Sequence, residues 1–299
     1  MALKLENVTK KFGEFTAVDD LSLEIPEKEM FGFLGANGAG KTTTFRMILG
    51  LLDPTKGRIT LDGKTIDYST SPIIGYLPEE RGLYPKLKVK EQIVYLARLR
   101  GMQKQDAVRE LAYWLERFKV PEYMDKKVEE LSKGNQQKIQ FLAAVIHKPR
   151  LLILDEPFSG LDPVNVELLK QAVIDLKEAG TTIVFSSHRM EHVEEMCEHL
   201  CIMQKGRPVV HGALKEIKRS FGKKNLVIHA DFDISSLENH DGVTKAKHTP
   251  EGIHLQVTSE YIAEEILKRI VGKGFIRKFV LEEPSLNDIF IEKAGASYE

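Results

Sequence analysis

The stretch FGFLGANGAGKTTTF occupies residues 31–45 and decides how the rest of the sequence is interpreted. Within it, Gly35, Gly40, Lys41 and Thr42 have the spacing GxxxxGK[ST], directly after an apolar run and before the helix-favouring TTFRMILGL. Small residues let backbone N–H groups close around phosphate oxygens, the helix N-terminus adds positive potential, and the lysine supplies charge. The sequence therefore predicts a phosphate-binding loop between a strand and a helix.

A second stretch, LLILDEPFSGLD at residues 151–162, predicts the other half of the same site. Its apolar run is typical of a buried strand that carries Asp155 to its carboxyl end, the edge where ligands bind in open parallel sheets. We expect Asp155 and Thr42 to hold a magnesium ion, and Glu156 to act as a general base or to orient the attacking water. The alternative is that both acidic residues only cap the following loop.

The distribution of apolar residues indicates two kinds of sheet. Leu21, Leu23 and Ile25 alternate with polar residues, as in an antiparallel sheet with one buried face. Later apolar runs are nearly continuous, as in parallel strands that are buried on both faces. These runs are FGFLG (31–35), IIGYL (73–77), LLILD (151–155) and TTIVF (181–185).

Composition restricts the classes of partner. The net charge of −1 gives no broad basic field, so we expect no nucleic-acid partner. The N-terminus has no secretory signal pattern, and the apolar runs fall short of the roughly 20 residues of a spanning helix, so we expect a cytoplasmic protein. Cys197 and Cys201 are interpreted as reduced core thiols.

Five motifs carry a resemblance to a known family. GANGAGKTT, LSKGNQQK, LILDEP, SGLD and SSH occur in this order, and residues 1–215 resemble the ATP-binding subunit of an ABC transporter. The resemblance implies ATP and Mg²⁺ as cofactors and a head-to-tail dimer, either of this chain or with a paired ATPase subunit. Each ATP would then lie between the phosphate loop of one chain and the signature segment LSKGN of the other.

The resemblance also implies a role for each matching residue. Lys41, Glu156 and His188 would be catalytic, Phe12 would stack on adenine, and Asp162 would cross the dimer interface. The remaining nucleotide contacts would come from Gly35, Asn37, Gly38, Ala39, Gly40, Thr42 and Thr43 in one chain and from Ser132, Gly134 and Asn135 of the other.

Two departures from the family pattern concern charge. The usual LSGGQ is LSKGN here, so Lys133 replaces a glycine and Asn135 a glutamine. Glu79 stands where the family usually has glutamine; it is still a hard oxygen donor for magnesium, so we expect hydrolysis to survive.

The expected fold class is α/β: a P-loop NTPase (RecA-like) core with an N-terminal antiparallel β subdomain, an inserted helical subdomain and a small C-terminal α+β domain. The ATP-binding domain is expected at residues 1–220, with the helical subdomain at about 86–145, where Leu111, Trp114, Leu115 and Phe118 share one helix face. A basic segment, KEIKRSFGKK, indicates the boundary, and residues 221–299 form the accessory domain.

The expected partners are integral membrane permease subunits, which would place the chain at the inner face of the cell membrane. The docking surface would include Arg81, Leu83 and Tyr84. YLPEERGLYPKLKV (76–89) and EEPSLNDIFIEKAG (282–295) resemble NatA-type exporter ATPases, which implies export of sodium or a drug-like cargo.

Two alternatives stay open at this point. ABC-type ATPases also act in translation and DNA maintenance, although one cassette without long heptad tracts disfavours that class. The stretch HRMEH, His188 to His192, also fits the H-x-x-E-H pattern of zinc proteases.

Overall fold

The structure is a computed structural model that describes residues 3–80 and 82–295. The chain divides into two compact units between His211 and Gly212. We call them the N-terminal unit and the C-terminal unit and describe each by itself. The predicted docking residue Arg81 lies outside the described residues.

The N-terminal unit contains two sheets and most of the helices. In chain order its strands are β1 (Leu3–Phe12), β2 (Phe15–Ile25), β3 (Met30–Gly35), β4 (Lys56–Leu61), β5 (Lys64–Thr65), β6 (Ile74–Leu77), β7 (Leu151–Asp155), β8 (Thr182–Ser186), β9 (His199–Gln204) and β10 (Arg207–Ala213), the last of which ends just past the division. Its helices are α1 (Lys41–Ile48), α2 (Val89–Leu99), α3 (Lys104–Arg117), α4 (Lys133–Val145), α5 (Pro163–Glu178) and α6 (Met190–Met196). Short 3-10 helices span Tyr68–Ile73, Pro121–Tyr123 and Val128–Glu130.

The smaller sheet has the strand order β2-β1-β4-β5, and its strands pair antiparallel. Leu21, Leu23 and Ile25 of β2 are buried and alternate with more exposed residues, which confirms the predicted period of two. This buried face joins a core that also includes Phe33 and Phe45, so the sheet packs on the strand and helix that flank the phosphate loop.

The larger sheet has the order β10-β9-β3-β8-β7-β6, and the central pairs are parallel. Strands β3, β7 and β8 are buried along their whole length, as their continuous apolar sequences predict. The four predicted parallel strands are therefore confirmed. Because β3, β7 and β8 are neighbours, the segments that follow them meet at one edge of the sheet.

Helices α2, α3 and α4 come between β6 and β7 in the order of the chain. The predicted apolar face of α3 and the residue after it are buried: Leu111, Trp114, Leu115 and Phe118 are each at most 4% exposed. The ring of Phe118 lies 5.6 Å from Trp114 and 6.0 Å from Phe141 of α4, measured between centroids. This aromatic cluster holds α3 against α4, the helix that begins in the signature segment.

The C-terminal unit is a four-stranded antiparallel sheet with helices. After α7 (Leu214–Ser220), its elements are β11 (Lys224–Ala230), a 3-10 helix (Ser235–Asn239), β12 (Val243–Thr249), β13 (Gly252–Val257), α8 (Glu260–Ile270), β14 (Ile276–Glu282) and α9 (Leu286–Ala294). The order β12-β13-β11-β14 is that of a ferredoxin-like split β-α-β unit in which the 3-10 helix replaces the first helix. Leu226, Ile253 and Ile266 lie in its core.

The sequence prediction placed the domain boundary at residue 220, whereas the two units divide between His211 and Gly212. The first part of the basic segment lies in α7, with Lys218 and Arg219 in its last turn, and its last residue, Lys224, begins β11. Cations there are favourable because the C-terminal end of a helix carries partial negative charge. The basic segment therefore spans the end of a helix and the start of the following strand.

Cys197 and Cys201 are buried and free, as expected of reduced core thiols. Burial raises the pKa of the Cys201 thiol to about 12. Within the described ranges, no helix combines the length and apolar character that crossing a bilayer requires.

Candidate functional site

The phosphate loop connects β3 to α1 in a backbone shape that requires glycine. Gly40 caps α1 with φ of +106°, and a Cβ there would lie 2.6 Å from the carbonyl oxygen of Ala17. A Cβ on Gly35 would lie 2.7 Å from the carbonyl oxygen of Met203 on β9. The first and last glycines of the motif thus let the loop pass close to two neighbouring strands.

Lys41 begins α1 and folds its side chain back over the loop. Its Nζ donates hydrogen bonds to the carbonyl oxygens of Gly35 at 2.5 Å and Ala36 at 3.3 Å. Burial lowers the pKa of the Lys41 ammonium, while the carboxylates of Asp155 and Glu156 act in the opposite direction. The ammonium is therefore held where it can meet a phosphate that enters the loop.

A cleft of about 370 Å³ opens in front of this loop at the carboxyl edge of the parallel sheet. It is lined by Phe15, Ala17, Ala36, Asn37, Gly38, Ala39, Gly40, Lys41, Thr42, Thr43, Glu79, Asp155 and His188. The structure thus brings together most of the residues that the sequence assigned to phosphate and magnesium. Phe15, Ala17 and Ala36 were not predicted, since only the return of β2 beside the loop places the first two there.

Asp155 is the last residue of β7 and is 4% exposed. It lies beside Ser186 of β8 in the parallel register. Burial raises the pKa of the Asp155 carboxyl, and the neighbouring Ser186 hydroxyl and Lys41 ammonium act against that rise. A carboxylate in this position suits a bound cation, which would compensate the desolvated charge.

Glu156 leaves the strand in a left-handed conformation, with φ of +52°. The residue is 8% exposed, and burial raises the pKa of its carboxyl to about 7. Ser187 Oγ donates to Oε2 at 3.4 Å, and His188 Nε2 lies 3.6 Å from Oε1, which has no hydrogen-bond partner in the described part of the chain. A carboxyl group with a pKa near neutrality suits a general base or a group that orients water.

The donor set fits a magnesium ion. Thr42, Glu79 and Asp155 line the same cleft and offer a hydroxyl and two carboxylates. Mg²⁺ prefers such hard oxygen donors and binds proteins through one or two carboxylates while keeping several waters. These three residues could therefore hold the ion beside the phosphate loop.

Two aromatic residues face each other across the β1–β2 hairpin. Phe12 and Phe15 are register partners, and they are 50% and 66% exposed. Phe15 lines the cleft, whereas the Phe12 ring has the Lys10 ammonium 5.3 Å from its centroid. Phe12, which was predicted to stack on adenine, is not among the cleft-lining residues; its role stays a prediction.

The signature segment is not part of this cleft. Ser132 caps α4, and its Oγ accepts a hydrogen bond from the Asn135 N–H at 3.3 Å. The Asn135 side chain donates to Tyr123 Oη at 2.7 Å, and Lys133 is exposed in the first turn. The predicted phosphate contacts of Ser132, Gly134 and Asn135 stay predictions, because within one chain these residues do not line the cleft.

Asp162 lies at the start of α5 and acts as its cap. Its carboxylate accepts a hydrogen bond from the Asn165 N–H at 3.1 Å, and this bond holds the pKa of the Asp162 carboxyl below its usual range. Its predicted place across a dimer interface stays a prediction.

The zinc alternative finds no support in the positions of the two histidines. His188 precedes α6 and has a half-exposed side chain, whereas His192 is 5% exposed and packs edge-on against Phe158 with 4.9 Å between ring centroids. Among residues 3–80 and 82–295, no group of three His, Cys, Asp or Glu side chains is arranged to hold a metal.

Two family models match the chain. Residues 18–159 match the model described as "ABC transporter", and residues 212–294 match "ATP-binding protein DrrA1-3-like, C-terminal domain". The second match begins where the C-terminal unit begins.

Curated relatives extend the likeness. The chain is 67% identical to an uncharacterized ABC transporter ATP-binding protein, YhaQ, of Bacillus subtilis, over 99% of this chain and all of that protein. It is 32% identical to the Nod factor export ATP-binding protein I of Cupriavidus metallidurans, over 98% of this chain and 97% of that one. It is 37% identical to the ABC transporter ATP-binding protein NatA of Bacillus subtilis, over 70% and 87% of the two chains.

Solved structures agree with the fold. An "ATP binding subunit of ABC transporter" superposes with a TM-score of 0.69 at 30% identity, covering 74% of this chain and 94% of that one. A bacterial ABC transporter cassette, MJ0796, solved as a dimer, gives a TM-score of 0.65 at 25% identity, covering 71% and 98%. The predicted α/β nucleotide-binding core is therefore confirmed.

Proposed function

The chain belongs to the family of ABC transporter ATP-binding proteins, and we propose that two copies hydrolyse ATP between them with magnesium to power export. As a member of this family, the chain binds ATP and is an ATPase. The two-chain site, the magnesium ligands, the direction of transport and the membrane partners are the parts that we propose.

One observation carries the two-chain arrangement. The cleft joins the phosphate loop to Asp155, Glu79 and His188, whereas Ser132 and Gly134 of the signature segment lie outside its lining. We infer that a γ-phosphate bound at the loop would be exposed on one side. The signature segment of a second chain would supply hydrogen-bond donors to it there. The N-terminus of α4 is suited to this because its N–H groups and dipole favour an anion.

Each residue has a distinct task in the proposed reaction. The loop N–H groups and Lys41 hold the triphosphate, and Thr42, Glu79 and Asp155 would hold Mg²⁺, which supplies positive charge to the phosphate oxygens. Glu156 accepts the proton of the attacking water or orients it, and its pKa of about 7 keeps enough carboxylate at neutral pH. His188 lines the cleft 3.6 Å from Glu156, and we expect it to contact the γ-phosphate.

A complementation experiment tests the two-chain site. One variant combines Lys41→Ala and Glu156→Gln, and the other is Ser132→Asp, which keeps a good helix cap but brings negative charge towards the phosphate of the partner chain. Each variant alone should be inactive. A mixed dimer contains one intact site, with Lys41 and Glu156 from the second variant and Ser132 from the first.

Equal mixing should restore up to about a quarter of wild-type ATPase activity, since half of the randomly formed dimers are mixed and each has one working site. Each variant alone, at the same total protein concentration, is the control. The proposal is wrong if the mixture gains nothing while crosslinking shows that mixed dimers form, or if the Ser132→Asp variant alone retains wild-type activity.

We propose that the work is done on separate permease subunits at the inner face of the membrane. The segment after Glu79 offers an exposed Tyr84, 69% accessible, and a half-buried Leu83 as a docking surface. Export is supported by the likeness to a Nod factor export protein over nearly the whole chain. A sodium ion or a drug-like molecule is the cargo to test first.

Vesicles that contain this chain together with a candidate multi-helix permease provide the test of direction. ATP should drive loss of labelled sodium or of a fluorescent drug from the cytoplasmic side, and Glu156→Gln should abolish that movement while ATP still binds. ATP-driven movement into the cytoplasm, or recovery of the chain with ribosomes and not with membranes, would contradict the export proposal.

A further inference from the structure

Two glutamine side chains project from one face of α4 into the core. Gln137 and Gln140 are three positions apart, which places them one above the other on the helix, and they are 2% and 4% exposed. Gln137 Nε2 donates a hydrogen bond to the carbonyl oxygen of Pro157 at 3.0 Å. Gln140 Nε2 donates to the carbonyl oxygens of Pro78 at 3.2 Å and Glu80 at 2.9 Å.

These three carbonyl groups flank the carboxylates of the site. Pro157 directly follows Glu156, and Pro78 and Glu80 stand on either side of Glu79. The helix that begins in the signature segment therefore holds the two backbone segments that carry Glu156 and Glu79. Neither glutamine is in the lining of the nucleotide cleft, so each acts only through these segments.

Burying the side chain of Gln140 has a free-energy cost. Gln140 Oε1 is buried and has no hydrogen-bond partner among residues 3–80 and 82–295. A buried unpaired carbonyl costs about 1–3 kcal/mol, whereas an apolar side chain at this position would cost nothing of this kind. Retention of the amide is explained if its bonds to Pro78 and Glu80 are needed to fix the segment around Glu79.

The start of α4 contacts the same segment as Gln137. A Cβ on Gly134 would lie 3.4 Å from Leu161 Cδ2 and 3.6 Å from the carbonyl oxygen of Gly160, so the first turn of the helix is packed against residues 160 and 161. Ser132 and Gln140 are eight residues apart, or about 12 Å along a helix. A displacement of the first turn of α4 would therefore also move Gln140, because the helix between them is short and rigid.

We propose that Gln137 and Gln140 are positioning residues that couple the two nucleotide sites of the dimer. In each chain, α4 meets the phosphate of one site with its N-terminus and sets Glu156 and Glu79 of the other site through the two amides. Binding of ATP at one site thus places the carboxylates of the second. This inference rests on the two-chain site proposed above.

The test replaces each amide by a thioether of similar size. Gln137→Met and Gln140→Met should lower kcat about 10- to 100-fold, because small displacements of catalytic groups have effects of this size. The KM for ATP should stay within about twofold, since neither residue touches the phosphate loop. The Hill coefficient for ATP should fall from a wild-type value above 1 to about 1.

Gln92→Met is the matched control. This glutamine of α2 is 3% exposed, and its Nε2 also donates to a backbone carbonyl, that of Tyr84 at 3.2 Å, which does not lie beside Glu156, Glu79 or Ser132. It should lower the melting temperature without changing kcat or the Hill coefficient. If either core Met variant does not fold, the Asn variant at that position replaces it. Asparagine keeps the amide but is too short to reach the backbone carbonyl oxygens, so the same loss of kcat is expected.

Three results would overturn the coupling: unchanged kcat and Hill coefficient in folded Gln137 and Gln140 variants, an equal kcat loss in Gln92→Met, or a wild-type Hill coefficient of 1. Light scattering of the Glu156→Gln chain with ATP separates this failure from that of the two-chain site. If the chain is a dimer in that measurement, the two-chain site stands and only the coupling is refuted. If it is a monomer at all ATP concentrations, both proposals are refuted.

Discussion

Replacing Glu156 by glutamine should stabilise the fold while it stops ATP turnover. Burial raises the pKa of the Glu156 carboxyl from 4.5 to about 7, and each pKa unit corresponds to about 1.4 kcal/mol. The folded state therefore disfavours the charged form by roughly 3 kcal/mol relative to the unfolded chain. A neutral amide avoids this penalty, and Oε1 has no hydrogen bond to lose in the described structure.

The sign of the pH dependence follows from the direction of the shift. Because the folded pKa lies above the unfolded value, the carboxyl group is protonated in both states below pH 4.5 and ionised in both above about 7. The wild type thus loses stability as pH rises across this window. Glu156→Gln should have the wild-type free energy of unfolding near pH 4.5 and about 3 kcal/mol more at pH 8. Over the same window the wild-type ATPase rate should rise, as the carboxylate forms.

Urea unfolding followed by fluorescence measures this difference well, because Trp114 is the single tryptophan of the sequence and lies in the same unit as Glu156. Asp162→Asn is a control with the opposite pH dependence, because the Asn165 N–H holds the pKa of the Asp162 carboxyl low. That substitution should lower the free energy of unfolding near neutral pH and leave it unchanged at low pH. A stability difference for Glu156→Gln that stays constant between pH 5 and 8 would refute the reasoning from burial.

Three further substitutions probe packing, backbone and base binding. Phe118→Ala should lower the free energy of unfolding by about 3–5 kcal/mol in urea melts, because its buried ring packs 5.6 Å from Trp114; a loss below 1 kcal/mol would contradict this. Gly40→Ala should weaken ATP binding about tenfold or more by calorimetry, since φ is +106° and the new Cβ would lie 2.6 Å from the Ala17 oxygen; wild-type affinity would be the contrary result. Phe15→Ala should cost about 1–3 kcal/mol in ATP binding but nothing in binding of inorganic triphosphate, and equal losses for both ligands would argue against a contact with the base.

The two phenylalanines of the β1–β2 hairpin show where prediction from sequence stops. Family resemblance points to Phe12 as the adenine contact, which stays a prediction, and the structure adds its register partner Phe15 as a ring that lines the cleft. A pattern identifies an aromatic residue near the loop, but which ring lines the cleft depends on the twist of a hairpin whose register shifts several times. Likewise, the basic segment near residue 220 suggested a domain boundary, whereas the compact units divide between His211 and Gly212.

The sequence by itself determined the chemistry of this protein: the spacing of Gly35, Lys41 and Thr42, the acidic pair after an apolar run, and the period of each strand are local features of the chain. Only the tertiary structure decided how strongly Glu156 is desolvated and which backbone groups Gln137 and Gln140 hold. The physical reason is that burial and hydrogen-bond partners depend on segments far away in the chain, as with Gln140 and Glu80, which are 60 positions apart. No spacing of residues along the chain encodes those contacts, because they arise only when the sheet and α4 pack together.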